Sequence, residues 1–265
     1  NGFYNVGYDR INRKRSFVPS VSELTCNVFS TSSSPGFYYN AFYIDGNLQD
    51  YGIGYNLTYK ILVAVLDPVT LKPWGTKFIE SAPPFTVHNP THNFGNSNNE
   101  SGRIWKYFTF EQNDATQLAN FQNMIDQVPD GHYVLIYTPI AARYDLWNSL
   151  DSVNMYTTFA DLGSDSINGS RPNRPFAFLV QKGDTNSVLE MLAEVDGGDV
   201  HMITDIVGAD NYGQESSTLI GPAARWGNVY WKQDASEIIT TDTTRLIING
   251  YDLYGVLQTT IDTLF

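Results

Sequence analysis

The residues best suited to chemistry in this chain are its four histidines, its single cysteine and a few carboxylate-bearing turns. His88 and His92 stand at the spacing that one helical turn would convert into a zinc pair. Asn89-Pro90 lies between them and forbids that helix, because proline has no amide donor and biases the preceding residue towards extended backbone. Asp196-Gly-Gly-Asp199 offers oxygen ligands, but a dedicated calcium loop is richer in acidic residues, so a plain turn is expected there. Cys26 has no nucleophile motif around it and reads as a small buried hydrophobe. Asp161-Leu-Gly-Ser-Asp-Ser166 is no nucleophile elbow, and the glycine patterns that cradle phosphate are missing. Carboxylate pairs for sugar hydrolysis are spatial, and none is nominated by the 28 acidic residues. A non-catalytic chain with no metal and no cofactor is the expectation.

Binding chemistry is concentrated elsewhere. Arg143, Tyr144, Asp145 and Trp147 follow a strand-like run and are expected in a loop, where ligand-reading residues commonly sit. Tyr and Trp offer flat apolar faces to a sugar ring or peptide, while Asp and Arg hydrogen-bond hydroxyls. The competing reading packs Tyr144 and Trp147 over the apolar face of a neighbouring helix.

The elements that must position these residues are mostly strands. Tyr59–Leu66 is the strongest, closed by Asp67-Pro68, and His132–Tyr137 reads as a buried central strand ending at Pro139. Pro175–Val180 is another, and Val188–Val195 fits strand or helix equally. Asp45-Gly46-Asn47 is a hairpin turn. Residues 81–102 read as a long loop holding three of the chain's 12 prolines. One helix is predicted after an Asn113 or Asp114 cap, with Ala115, Leu118, Phe121, Ile125 and Val128 on one face. A second is predicted over 154–162, with Gly163 supplying its left-handed end. Beyond 205 the pattern is strand and turn, clearest at Trp226–Trp231 and Arg245–Gly250. The expected layout is an N-terminal β segment (1–55), a central α+β domain (56–204) and a C-terminal β segment (205–265). No flexible linker divides them, so the three can fold as one unit.

Composition narrows the partners. The net charge of -12 disfavours nucleic acid, whose binding is driven by Lys and Arg releasing counterions, and it disfavours anionic lipid. Arg10, Arg13, Lys14 and Arg15 form the only basic cluster, read as a solvated strand or turn. No apolar run is long enough to insert in a membrane as a helix. Charged residues are only 17% and aromatics 14%, the usual balance of extracellular β proteins. The chain begins Asn-Gly and ends in the strand-like Leu257–Phe265, so both ends are expected to be cuts inside a longer polypeptide.

Within residues 56–200, the run from Ile61 to Asp184 resembles the interleukin-like EMT inducer family, also called the pander-like or GG domain. The matching pieces are Leu62-Val-Ala-Val-Leu-Asp67 with Leu71 and Trp74, then Tyr107-Phe-Thr-Phe110 before the Leu118, Phe121, Ile125 helix. Val128-Pro-Asp-Gly-His-Tyr-Val-Leu-Ile136, Phe159–Ser164 and Phe176–Gly183 follow in the family's order. The resemblance implies a β-rich α+β fold: a twisted antiparallel β-sandwich-like core with two or three short helices, here flanked by additional β segments. It implies no catalytic apparatus. Family members include secreted signalling proteins and a sugar-binding stem domain, in which an acidic residue after the central strand and an Arg before the aromatic strand lie near the ligand. Here those regions are 137–147 and 171–175, which adds Arg171 and Arg174 to the candidate site. The family's Arg-Asp-x-aromatic pattern is not kept, and the cysteines that cross-link animal members are absent. The runs Leu219–Trp231 and Thr244–Gly250 resemble a β module of very large bacterial surface proteins exported by type IX secretion, some bearing peptidase domains.

These features together predict an extracellular or bacterial cell-surface binding module, with carbohydrate as the expected ligand. The alternative is a structural or protein-interaction module contacting other domains of its parent chain.

Overall fold

Seven consecutive residues, Lys60–Leu66, are buried without alternation, which marks a strand covered on both faces. The computed structural model describes residues 2–4, 6–12, 14–30, 40–51, 60–75, 78–79, 87–88, 94, 106–150, 154–169, 172–194, 198–209, 213–223, 225, 227–230 and 245–264. In chain order the strands are β1 (Gly2–Tyr4), β2 (Val6–Asp9), β3 (Lys14–Phe17), β4 (Ser20–Val28), β5 (Ala41–Ile44), β6 (Asn47–Tyr51), β7 (Lys60–Leu66), β8 (Phe78–Ile79), β9 (Val87–His88) and β10 (Phe108–Glu111). Helix α1 (Ala115–Gln127) leads to β11 (Tyr133–Tyr137), and α2 (Tyr144–Ser149) and α3 (Met155–Asp161) precede β12 (Phe176–Gln181). Then come β13 (Asp184–Leu192), β14 (Val200–Gly208), β15 (Gln214–Ser216), β16 (Arg245–Tyr251) and β17 (Leu257–Leu264). The chain divides into a larger unit, Phe3–Gln214, and a smaller one of Asn1–Gly2 with Glu215–Phe265.

The larger unit is an α+β, β-sandwich-like fold built on two antiparallel sheets. The five-stranded sheet runs β10-β7-β11-β12-β13 and the four-stranded sheet runs β14-β4-β5-β6. Alternate residues of β7 enter different cores. Leu62, Ala64 and Leu66 join Leu24, Cys26, Val28 and Phe42 of the four-stranded sheet. Ile61, Val63 and Val65 join Leu118, Phe121 and Ile125 of α1, with Trp147 and Phe159 of α2 and α3. The order is therefore helices, five-stranded sheet, four-stranded sheet. Each large apolar side chain buried this way contributes about 1.5–3 kcal/mol.

Local signals account for the helix ends. The Asp114 carboxylate caps α1 by accepting from the Thr116 and Gln117 amides at 2.8 and 3.2 Å. Lys182 donates from its ammonium to the Ile125 and Asp126 carbonyls, a cation at the negative end of the helix. The Asn154 side chain caps α3 through the Thr157 amide at 3.1 Å. Its far end is a Schellman motif: Gly163 N–H donates to Ala160 and Ser164 N–H to Phe159, both at 2.9 Å. Asp45 and Gly46 take φ of 50° and 71°, the paired left-handed backbone of a tight hairpin between β5 and β6.

Several sequence-based boundaries change. Residues 188–192 fall in strand β13, which settles a choice that periodicity leaves open. Strand β10 begins at Phe108, and residues 103–105 lie outside the described residues. Gly227–Tyr230 is exposed and not a strand, against the expectation for 226–231. Trp226 and Trp231 lie outside the described residues, as does most of the loop at 81–102. Strand β14 pairs along its whole length with β4, so residues 200–208 complete a sheet begun before residue 30. Cys26 is fully buried in that sheet's inner face.

Candidate functional site

The candidate site grows from the exit of β11. Thr138 is buried, and its hydroxyl accepts the Phe176 amide at 3.1 Å, which fixes the end of β11 beside the start of β12. Ile140 has φ of 71°, and the Ala141 amide donates to the Pro139 carbonyl at 2.9 Å. A β-branched residue with positive φ is a strained element of the backbone. It persists because the surrounding contacts over-determine it. Buried Gln112 donates to the Lys60 and Ala141 carbonyls and accepts the Arg143 amide at 2.8 Å. The Ala142 amide donates to the Arg174 carbonyl at 2.8 Å. Four segments are thus pinned before α2 begins.

Residues 144–149 form helix α2, where composition predicts a loop. Helical spacing turns Tyr144 and Trp147 inward together. Tyr144 is 1% exposed and Trp147 3%, so neither offers a ring face to a ligand. Trp147 stacks on Phe159 of α3 at 6.0 Å and meets Tyr144 edge-on at 5.0 Å. This corrects their assignment as ligand platforms: they are core residues that hold α2 on α3. Both expectations cannot be met, because a six-residue helix has no intrinsic stability and forms only by burying such a face.

The polar members behave differently. Arg143 donates from Nε and Nη2 to the two oxygens of Asp145 at 2.8 and 2.6 Å, a bidentate pair. Asn173 donates from its amide nitrogen to Asp145 Oδ1 at 2.7 Å. The Arg143 hydrogen bonds hold the Asp145 carboxyl down at about 2, against a smaller upward push from burial and with further help from Asn173. The Asp145 side chain is 48% exposed. Beside it the Tyr156 hydroxyl donates to Asn148 Oδ1 at 2.9 Å, and the Asn148 amide reaches the Gly169 carbonyl at 3.4 Å. Burial first, then the Asp145 charge, raises the Tyr156 phenol above its usual range.

The segments 137–147 and 171–175 therefore do meet, through Ala142 with Arg174 and Asp145 with Asn173. Arg174 turns its guanidinium to the carbonyls of Ala193 and Glu194. Arg171 lies outside the described residues. Asn173, Gln112 and Tyr156 belong to the cluster but carry no sequence signal: an Asn between two prolines and a Gln at a strand end are ordinary turn residues. Among the described residues no three His, Cys, Asp or Glu side chains gather as a metal site. The zinc-spaced His92 and the first acid of Asp196–Asp199 lie outside them, and Asp199 accepts the Ser30 amide at 3.0 Å. Comparison with models of protein families finds no match, and comparison with curated proteins finds none either.

Proposed function

We propose that this chain is a non-catalytic binding module of a larger secreted or cell-surface bacterial protein, and that it recognises carbohydrate through Arg143, Asp145 and Asn173. The observation that carries the reading is the half-exposed Asp145 carboxylate held ionised between a guanidinium and a carboxamide. Acceptor and donor groups fixed side by side suit neighbouring sugar hydroxyls, each of which donates one hydrogen bond and accepts others. A carboxylate that stays ionised to about 2 is a standing hydrogen-bond acceptor at every physiological pH, as a hydroxyl-reading group must be. The strained Ile140 turn supports it too, since backbone strain clusters where side chains must be aimed. The resemblance to the interleukin-like EMT inducer family, with its sugar-binding member, points the same way.

Glycan-array binding of the parent chain and of Asp145→Ala and Asn173→Ala tests it. Retention by the parent with at least a tenfold loss in both variants, and unchanged thermal midpoints, is the expected result. A parent that binds nothing, or an Asp145→Ala chain that binds equally well, ends this reading. Trp147→Ala is unsuitable as a site probe because its burial makes the fold its first casualty.

A second reading, a structural or protein-interaction module, is favoured by the smaller unit. Its β16–β17 hairpin joins Leu253 and Tyr254, which are 88% and 91% exposed, and Leu219 and Tyr230 are 86% and 88% exposed. A lone two-stranded sheet is marginal in water and gains from a cover. Amides of 245–264 should exchange rapidly in this chain and slowly when adjoining domains of the parent are supplied. Equal exchange in both states would count against this reading.

A further inference from the structure

The outer face of the four-stranded sheet carries a row of acidic side chains. Asp205 of β14 stands directly opposite Glu23 of β4. Asp45, in the turn after β5, follows on the other side of Glu23, exchanging its amide and carboxylate with the Glu23 backbone at 2.9 Å. Like charges directly opposite one another destabilise a sheet. Among the described residues no cation pairs with Glu23 or Asp205. The next row across all four strands is Ile203, Thr25, Tyr43 and Leu48, with Ile203 64% and Leu48 46% exposed. On the other flank Val207 faces Val21, and they are 44% and 61% exposed. An apolar surface with an acidic stripe through it is left open.

The chain also contains a surface of complementary charge. Residues 10–15 hold four of its 16 Lys and Arg, which leaves 12 for the rest against 28 Asp and Glu. Of these, Arg10, Lys14 and Arg15 belong to the β2–β3 hairpin, which pairs Tyr8 with Arg15 and Val6 with Phe17 on one face. The Arg15 guanidinium lies 5.0 Å from the Tyr8 ring centre, and Tyr8 and Phe17 are 41% and 47% exposed. This face is an aromatic surface with a cation on it.

We propose that the outer face of the four-stranded sheet is a self-association surface that receives the β2–β3 hairpin of a second copy of this chain. Arg15 of one copy neutralises Glu23 and Asp205 of the other, while Tyr8 and Phe17 cover the rows beside them. Exchanged reciprocally, the two contacts close a twofold dimer and double the buried area, which helps it reach the size of a specific interface.

Sedimentation velocity on the full chain tests this. Dimerisation should weaken between about 0.1 M and about 1 M salt, as the Debye length shrinks from about 10 Å to about 3 Å. A face variant, Glu23→Lys with Asp205→Lys, and a hairpin variant, Arg10→Glu with Arg15→Glu, should each dimerise at least about tenfold more weakly. Mixed in equal amounts they should recover the dimer, because both reciprocal contacts again join opposite charges. The face variant keeps a like-charge pair with inverted sign, so its thermal midpoint should match the parent's and report intact folding. A parent that stays monomeric at every concentration overturns the proposal. So does a dimer indifferent to both variants, or a folded mixture that stays monomeric.

Discussion

The Tyr133 hydroxyl and the backbone of Val207 exchange two hydrogen bonds across the sandwich: the phenol accepts the Val207 amide at 3.0 Å and donates to its carbonyl at 3.2 Å. A side chain of the five-stranded sheet thus satisfies a residue of edge strand β14. Tyr133→Phe keeps the ring's packing and removes both bonds. The expected loss is about 1–3 kcal/mol, about 0.5–1.5 kcal/mol for each of the two hydrogen bonds removed. Urea unfolding should show it as a lower midpoint with an unchanged slope, and hydrogen exchange should show the loosening first at β14.

Asp145 gives a pH signature with a definite sign. Its carboxyl titrates at about 2, below the ordinary 3.8, because Arg143 stabilises the ionised form. A depressed carboxylate contributes stability above its unfolded value, and that contribution disappears as pH falls from about 4 through about 2. The Asp145 side chain is nearly half exposed, so the stability change is small and screened by salt. An NMR titration of the Asp145 carboxyl should have its midpoint near 2, and Arg143→Ala should return it towards 3.8. An ordinary midpoint in the parent chain would show that the pair does not form in solution.

Gly163 ends α3 where no other residue fits. Its φ is +94°, and an added Cβ would come within 2.8 Å of the Thr185 Cβ. Gly163→Ala combines backbone strain with overpacking and should cost about 2–4 kcal/mol. Thermal unfolding should record a drop of about 2–4 °C for each kcal/mol in a chain of this size.

Cys26 is fully buried, and burial pushes its thiol well above the usual range. It should resist a thiol reagent in the native protein and react at once in denaturant, since the thiolate is the reactive form. The native reaction rate then measures opening of the sandwich, and Tyr133→Phe should accelerate it. Rapid labelling of the folded chain would contradict the buried position.

Features governed by a few neighbouring residues are legible in the sequence. Asp114 and Gly163 mark helix ends through bonds made within one turn, and Asp45-Gly46 sets its hairpin by its own backbone preferences. The apolar runs at β7 and β11 announce central strands because burial on both faces removes alternation. Segments 137–147 and 171–175 lie side by side through the bonds of Asn173 to Asp145 and of Ala142 to Arg174, contacts that no local pattern in either segment announces.

What distant segments do to each other is not written locally. The spacing of Tyr144 and Trp147 suits a ligand loop as well as a helix, and only Phe159 and the Gln112 network decide for the helix. Glu23 and Asp205 become neighbours through the pairing of β4 with β14, and Asn173 reaches Asp145 only because β11 and β12 are adjacent. Propensity and periodicity act over a few residues, so the chain alone determined which segments could be strand, helix or turn. Which faces were buried, and which charges were left facing outward, followed from long-range pairing, because burial is a property of the assembled layers.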